Sequence, residues 1–522
     1  SEMCIRDRGP DGVPEPQQRI EDIAKRLPEM INKEGDDIEE DDIREKLTSD
    51  KNYEVLVRNV DPDVAEKVAE EFPEITAERQ DLRQYPNGAI AQNMIGKIST
   101  DNQGQFGLEL SQDARLQGIN GSRTVDVAGD GYLIPGSTRD VHPAVNGDSY
   151  ELTIDLDAQT YVQQALQQAR EKSGAKSASA VVMDSKTGEI VAMGSSDSVD
   201  PNGDIEKQLK RKKVFGDRAT ADSFEPGSVA KIMTAAAAIQ EGKTTPDEVL
   251  KVPGSIDMAG VTVKDAWEHG EVPYTTTGVF GKSSNVGTLM LAERVGEEKM
   301  YEYFRKFGVG QAAGVGLPYE VAGYMPELNQ WSGGTFANLP IGQGMSMSLL
   351  QMTSIYQALA NDGVRVEPRL INKITSSDGA ELATDPAKET RVVSPETART
   401  TVDMFRAVTQ KDETGVQQGS GAPAAIEGYQ VSGKTGTAQQ IDPDTGAYSN
   451  SAYWINFAGI APADKPRFVV GIMLDNPQRG TDGGAGGSAA PLFHDIMAWM
   501  LDHYNVPLSK EAGPKLMLEA KE

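Results

Sequence analysis

The run Ser228 to Gln240, SVAKIMTAAAAIQ, is apolar on nearly every face. Alanine, methionine and isoleucine without a breaker predict a helix over about residues 228–240. Pro226 and Gly227 mark its start and Gly242 its end. A helix apolar all round has to be covered all round, so other elements must enclose it. Yet Lys231 sits inside it. A buried ammonium is costly unless it is paired or neutral. Ser228, three positions earlier, lies on the same face. A neutral lysine beside a serine can act as a base and make that serine a nucleophile. The pattern alone means little. Ser173 to Lys176, SGAK, is a second copy that holds a glycine between polar stretches and reads as a loop.

The 522 residues give room for two or three domains. A net charge of −28 argues against nucleic acid and anionic membrane surfaces as partners. The single cysteine, Cys4, excludes an internal disulfide, which fits the cytoplasm or an exported protein that does without one. No apolar run approaches the ~18 residues of a membrane span. The opening SEMCIRDRGP does not look like a translational start, so any membrane anchor is expected upstream of this sequence.

Residues 11 to about 85 are strongly polar. Lys33 to Leu47, KEGDDIEEDDIREKL, reads as a solvated amphipathic helix or turn carrying Ile38, Ile43 and Leu47, not as a metal site. From Tyr85 to Gly147 the chain is glycine-rich and reads as short strands and turns, and a domain boundary is placed near Gly147. A strand and an amphipathic helix follow. SASAVVMD and EIVAMGS, joined by SKTG, read as a hairpin. A long region of helices and loops runs to about residue 425. YQVSGKTGTAQQ, YWINFAGIAP and RFVVGIMLD read as three late strands. Gly483 to Ser488, GGAGGS, reads as a loop before a final helix, AAPLFHDIMAWMLDHY. Two strands early and three late predict one antiparallel sheet with helices on its faces, an α+β fold.

A serine nucleophile needs a base, an oxyanion hole and a substrate clamp. The four histidines, His142, His269, His494 and His503, lie in no Gly-x-Ser-x-Gly elbow, and together with one cysteine they make no metal set. Two other motifs suit a lysine-based site: Ser283-Ser284-Asn285 and Lys434-Thr435-Gly436-Thr437. Lys186-Thr187-Gly188 is a second Lys-Thr-Gly that reads as a hairpin turn. Singly, Asn285 reads as a helix cap, and Thr435 and Thr437 as strand threonines. Ser-x-x-Lys, Ser-x-Asn and Lys-Thr-Gly in this order are the set shared by class A β-lactamases and penicillin-binding proteins.

With these motifs the chain resembles a class B penicillin-binding protein, a peptidoglycan D,D-transpeptidase, and is most similar to the cell-division type. The resemblance runs through LTIDLDAQ, AVVMDSKTGEIVAM, FEPGSVAK, SSN, IGQGMSMSLLQM, YQALANDGVRVEPRLI, GKTGTAQ and FAGIAP. Upstream it includes NGAIAQNMIGKI and GQFGLELSQDARLQG, and in part IRDRGPDG. It implies a penicillin-recognising domain over residues 148–508 with a five-stranded antiparallel sheet between helices. It also implies a mixed α/β pedestal over 1–147 and a C-terminal tail over 509–522. Ser228 would be acylated and Lys231 would be its base. The Lys434 cation would help to keep Lys231 neutral. Ser283 would relay a proton to the leaving D-alanine. Asn285 would hold the substrate amide and Lys231, and Thr435, Gly436 and Thr437 would bind the substrate carboxylate end. The resemblance implies no cofactor. It implies stem peptides ending in D-Ala-D-Ala, an acceptor stem and β-lactams as ligands. It further implies a membrane glycosyltransferase and divisome proteins as partners, and a place on the outer face of the cell membrane. The rivals are a β-lactamase or D,D-carboxypeptidase on the same fold, and a non-enzymatic penicillin sensor. Chain length and the upstream module speak against a β-lactamase, and no signalling domain is visible.

Overall fold

The computed structural model describes residues 2–6, 16–32, 38–49, 51, 53–78, 82–128, 134–442, 444–478 and 485–520. The chain forms two compact units, Ser1–Pro86 and Asn87–Glu522.

In the first unit a three-stranded sheet of order β2-β1-β3 is built from β1 (Glu2–Arg6), β2 (Tyr53–Val57) and β3 (Ile75–Glu78). Its helices are α1 (Pro16–Ile31), α2 (Glu40–Leu47) and α3 (Pro62–Glu71). Ile23, Leu27 and Ile31 recur every four residues on α1 and are buried, which is the stripe a helix needs against a core. Of the acidic run, the part 33–37 lies outside the described residues. The remainder forms α2, whose Ile43 is buried while its acidic residues face out. Residues 7–12 of IRDRGPDG are likewise outside the described residues.

The second unit holds the predicted sheet. Its elements are α4 (Leu156–Ser173), β4 (Ser177–Asp184), β5 (Ile190–Ser195), α5 (Lys231–Gln240), α6 (Thr276–Lys282) and α7 (Asn285–Val295). Then follow α8 (Leu349–Ala360), β6 (Ser432–Ile441), β7 (Tyr448–Ala461), β8 (Phe468–Asp475) and α9 (Ala485–His503). The strand order is β6-β7-β8-β4-β5, with every neighbouring pair antiparallel. All eight residues of β4 and of β8 are buried, because helices cover both faces. Ala158, Val162, Leu166, Phe493 and Met497 of α4 and α9 form one apolar layer with one face of the sheet. α5 and α8 belong to the layer on the other face. All twelve residues of α8 are buried.

The hairpin turn between β4 and β5 lies where SKTG predicts it. Asp184 Oδ1 accepts from the N–H groups of Lys186 and Thr187 at 2.8 and 3.0 Å. The long middle region contains more β structure than its sequence suggests, including the hairpin Ser255–Met258 with Val261–Lys264 and the antiparallel pair Val249–Val252 with Val272–Thr275. Each strand is four residues, too short for alternation to register as a pattern. Residues 87–147 belong to this larger unit. Met94 and Leu108 enter its core, and Phe106 stacks on Phe215 at 4.4 Å. The final helix starts at Ala485, inside the glycine-rich run, while 479–484 lie outside the described residues. Near the C-terminus Leu518 is fully buried and accepts from Thr275 N–H at 3.0 Å. Among the described residues no helix is long and apolar enough to cross a membrane.

Candidate active site

Ser228 stands in a 3-10 turn, Gly227–Ala230, that runs into α5 at Lys231. The turn is pinned from several sides. Gly227 N–H donates to Gly342 O at 3.0 Å, Tyr356 OH to Val229 O at 2.9 Å, and Asn456 Nδ2 to Pro226 O at 3.2 Å. Gly227 has φ +58°, and a Cβ there would lie 2.8 Å from Thr437 O. Glycine therefore lets the serine turn lie against β6. Gly436 is as tight: a Cβ would come within 1.9 Å of Asn456 Oδ1.

Lys231 is fully buried, as the apolar run requires. Its Nζ donates to Asn285 Oδ1 at 2.7 Å and to Ser283 O at 2.8 Å, and lies 3.4 Å from Ser283 Oγ. Lys434 is also fully buried. Its Nζ donates to Ser283 Oγ at 2.8 Å and to Thr435 O at 3.0 Å, with Thr435 Oγ1 at 3.3 Å. Ser283 thus bridges two lysines from separate motifs. It closes α6 with φ +67°, a left-handed conformation that costs a non-glycine residue about 1–2 kcal/mol. Ser284 is the cap of α7: its Oγ accepts from Gly287 N–H at 2.9 Å. Asn285, one residue on, is left to hold the lysine rather than the helix end. Thr435 is buried beside Ser420, and Thr437 is exposed. Of the predicted residues, Lys231, Ser283, Asn285, Lys434 and Thr435 meet through hydrogen bonds. Gly436 and Thr437 continue the same strand. The turn that carries Ser228, three residues ahead of Lys231, lies against Thr437 through Gly227.

Two ammonium groups this close cannot both keep a full charge in a dry site. Burial brings Lys231 down to about 7, and the carboxylate of Asp265 opposes that fall without cancelling it. Lys434 is pushed well below the ordinary lysine range by burial first and by Lys231 second. The expectation was that Lys434 would depress Lys231. The two lysines oppose each other's charge across Ser283, and Asp265 favours the charged form of Lys231. Asp265 carries no motif of its own, and in VKDAWEHG it looks like an ordinary loop acid.

Three of the four histidines stay outside this centre; the fourth, His269, touches it through Asp265, with Nε2 2.9 Å from Oδ2. His494 Nδ1 lies 2.8 Å from Ala425 O, His503 stacks on Trp499 at 4.4 Å, and His142 is exposed. Among the described residues one group, Asp155, Asp157 and His503, brings three ligand-type atoms within 4.8 Å of one another. Asp155 is already engaged there, capping α4 and accepting from Tyr504 OH at 2.7 Å.

Known families bear on this geometry. Residues 178–498 match the penicillin binding protein transpeptidase domain, and residues 10–152 match the penicillin-binding protein dimerisation domain. The chain belongs to the class B penicillin-binding proteins. A penicillin-binding protein PbpB from Mycolicibacterium smegmatis is 56% identical over 510 residues, covering 98% of this chain and 78% of that protein. The peptidoglycan D,D-transpeptidase FtsI of Escherichia coli is 34% identical over 455 residues, covering 86% of this chain and 72% of its own. A crystal structure of penicillin binding protein 3 from Mycobacterium tuberculosis in complex with ampicillin is 56% identical with a TM-score of 0.80. The match covers 85% of this chain and 94% of that one. In this penicillin-binding protein the five-stranded sheet and its helical faces are therefore the family's fold, and the two motif lysines lie in its transpeptidase domain.

Proposed function

We propose that this chain is a peptidoglycan D,D-transpeptidase of the cell-division type, working through an acyl-enzyme on Ser228. The observation that carries it is the chain of contacts Asn285–Lys231–Ser283–Lys434, which joins three separate motifs behind the turn that bears Ser228. Lys231, brought down to about 7 and so in large part neutral at neutral pH, takes the Ser228 proton as Oγ attacks the carbonyl carbon of the penultimate D-alanine. The oxyanion is held by the backbone N–H groups of Ser228 and Thr437, where one such donor is worth roughly 10²–10³ in rate. The proton passes by Ser283 to the nitrogen of the departing D-alanine as the peptide bond breaks. Asn285 holds the substrate amide, and Lys434, Thr435, Gly436 and Thr437 hold the terminal carboxylate. An amine of a neighbouring stem peptide then attacks the ester, forms the cross-link and frees Ser228. A β-lactam enters the same path and stays on Ser228, in keeping with the ampicillin complex of the mycobacterial relative.

The reading places the chain at the outer face of the cell membrane, with residues upstream supplying the anchor. It gives the N-terminal module the task of spacing the catalytic domain and meeting a lipid-linked glycan polymerase and divisome proteins. All the site residues lie within Asn87–Glu522. A fragment starting at Asn87 is expected to melt cooperatively and label with penicillin but to cross-link poorly in cells. An aggregated or unlabelled fragment would make residues 1–86 of the module a folding support. The main test is release of D-alanine from a pentapeptide ending in D-Ala-D-Ala, together with fluorescent penicillin labelling, in the wild type and in Ser228→Ala. Loss of both in the variant is expected; labelling that survives refutes the assignment.

A further inference from the structure

Asp265 lies outside all three motifs, yet it touches the machinery they build. It follows the strand Val261–Lys264, and its side chain is completely buried. A buried carboxylate has to be matched by donors, and four meet it. Oδ1 accepts from the backbone N–H groups of Asn285 at 2.6 Å and Val286 at 3.0 Å. Oδ2 accepts from Ser284 Oγ at 2.7 Å and faces His269 Nε2 at 2.9 Å. The two amides open α7, where a helix has unfilled donors and favours negative charge. Ser284 is then held twice, donating to Asp265 and accepting from Gly287. The corner Ser283–Asn285 is thereby clamped from behind. On its front, Ser283 and Asn285 receive Lys231. The left-handed Ser283 needs such a clamp, since that conformation persists only where the surroundings enforce it.

We propose that Asp265 is a positioning residue for the acylation step: it holds the Ser283–Asn285 corner in register with Lys231 and supplies the counter-charge to that lysine. This rests on the reading of Ser228 as nucleophile and Lys231 as base. The ionisable groups facing Lys231 are Asp265 on one side and Lys434 on the other. Those facing Asp265 itself are Lys231, His269 and Tyr274.

The two parts of this role separate in a pH profile. Burial lowers Lys231 and Asp265 raises it. Removing the carboxylate leaves burial unopposed, so Lys231 loses its proton at lower pH and the acid limb of acylation moves to lower pH. A loosened corner lowers the plateau instead, by roughly 10²-fold for a displacement of about 1 Å.

The test is the penicillin acylation rate of the full chain across the acid limb, for the wild type, Asp265→Asn and Ser284→Ala, each with a melting curve. Asp265→Asn keeps the shape and removes the charge. The expected result is a lower plateau with the limb displaced to lower pH. A limb that stays in place overturns the proposal, whatever the plateau does. Ser284→Ala removes one donor and keeps the charge, so it is expected to lower the plateau with the limb unmoved; a displaced limb there also overturns it. Should Asp265→Asn not fold, Asp265→Glu keeps the charge and shifts the clamp. It is expected to lower the plateau without displacing the limb, and a wild-type plateau overturns the proposal. Normal acylation in Lys231→Arg would instead remove the base itself, and Asp265's role with it, so the two failures are told apart.

Discussion

Ser173 and Lys176 stand three residues apart, as Ser228 and Lys231 do. Ser173 ends α4, where Gly174 with φ +65° turns the chain out of the helix, and Lys176 points into solvent. Ser228 and Lys231 share one continuous turn, and Lys231 is sealed in the core. The same contrast separates the two Lys-Thr-Gly copies. Lys186 lies in a hairpin turn, its side chain 49% exposed and its Nζ 3.5 Å from Asp362. Lys434 lies inside a strand with no exposure at all and reaches Ser283. The short motif is thus not the functional unit. Full burial, which disfavours a lysine's charge, together with contact to Ser283, is what one member of each pair has and the other lacks.

The sharpest way to break this contrast is to remove the two serines. Ser228→Ala is expected to abolish penicillin labelling, while Ser173→Ala leaves it intact; gel labelling of both variants decides. Exchanging the lysines comes next. Lys231→Arg keeps the charge but cannot lose it, so acylation is expected to fall about 10²–10⁴-fold in a folded protein. Lys176→Arg is expected to acylate normally, and a slow Lys176→Arg would mean that sequence spacing alone matters. The pH dependence gives a smaller effect. Lys231 is brought to about 7 by burial. Below that pH it is protonated and cannot accept from Ser228, so kcat/KM is expected to fall about tenfold per pH unit as pH drops and to level off above it. A profile flat through this range would mean that another group is the base. The smallest effects come from the glycines. Gly436→Ala drives a Cβ into Asn456 and is expected to cost about 1–3 kcal/mol and to slow acylation. Gly188→Ala, with φ +70° and Val366 Cγ1 3.1 Å from the new Cβ, is expected to cost about 1–2 kcal/mol of strain and leave acylation unchanged. Melting temperatures alongside acylation rates separate loss of fold from loss of chemistry.

The sheet was legible because β4, β5 and β8 are long apolar runs bounded by turn signals, and SKTG announces its hairpin. The site was legible because Lys231 breaks an apolar run that nothing else explains. Asp265 was not legible. Its function comes from the fold of a short hairpin that brings it to the start of α7, and four-residue strands leave too little alternation to read. Nor could the sequence say that a carboxylate raises Lys231, since that depends on where Asp265 comes to rest.

In the sheet β8 lies between β7 and β4, so a strand from the end of the domain completes one from its beginning, Val470 opposite Val182. During synthesis β4 and β5 emerge long before their partner exists, and β4 waits with an open edge. The serine turn waits too, because it rests on β6. A stalled or shortened chain that lacks β6 therefore holds Ser228 and Lys231 without Lys434, and its open edge marks it for capture by proteases or other strands. Acylation is for this protein a certificate of completed synthesis: the nucleophile is made in the middle of the chain and armed only by its last third.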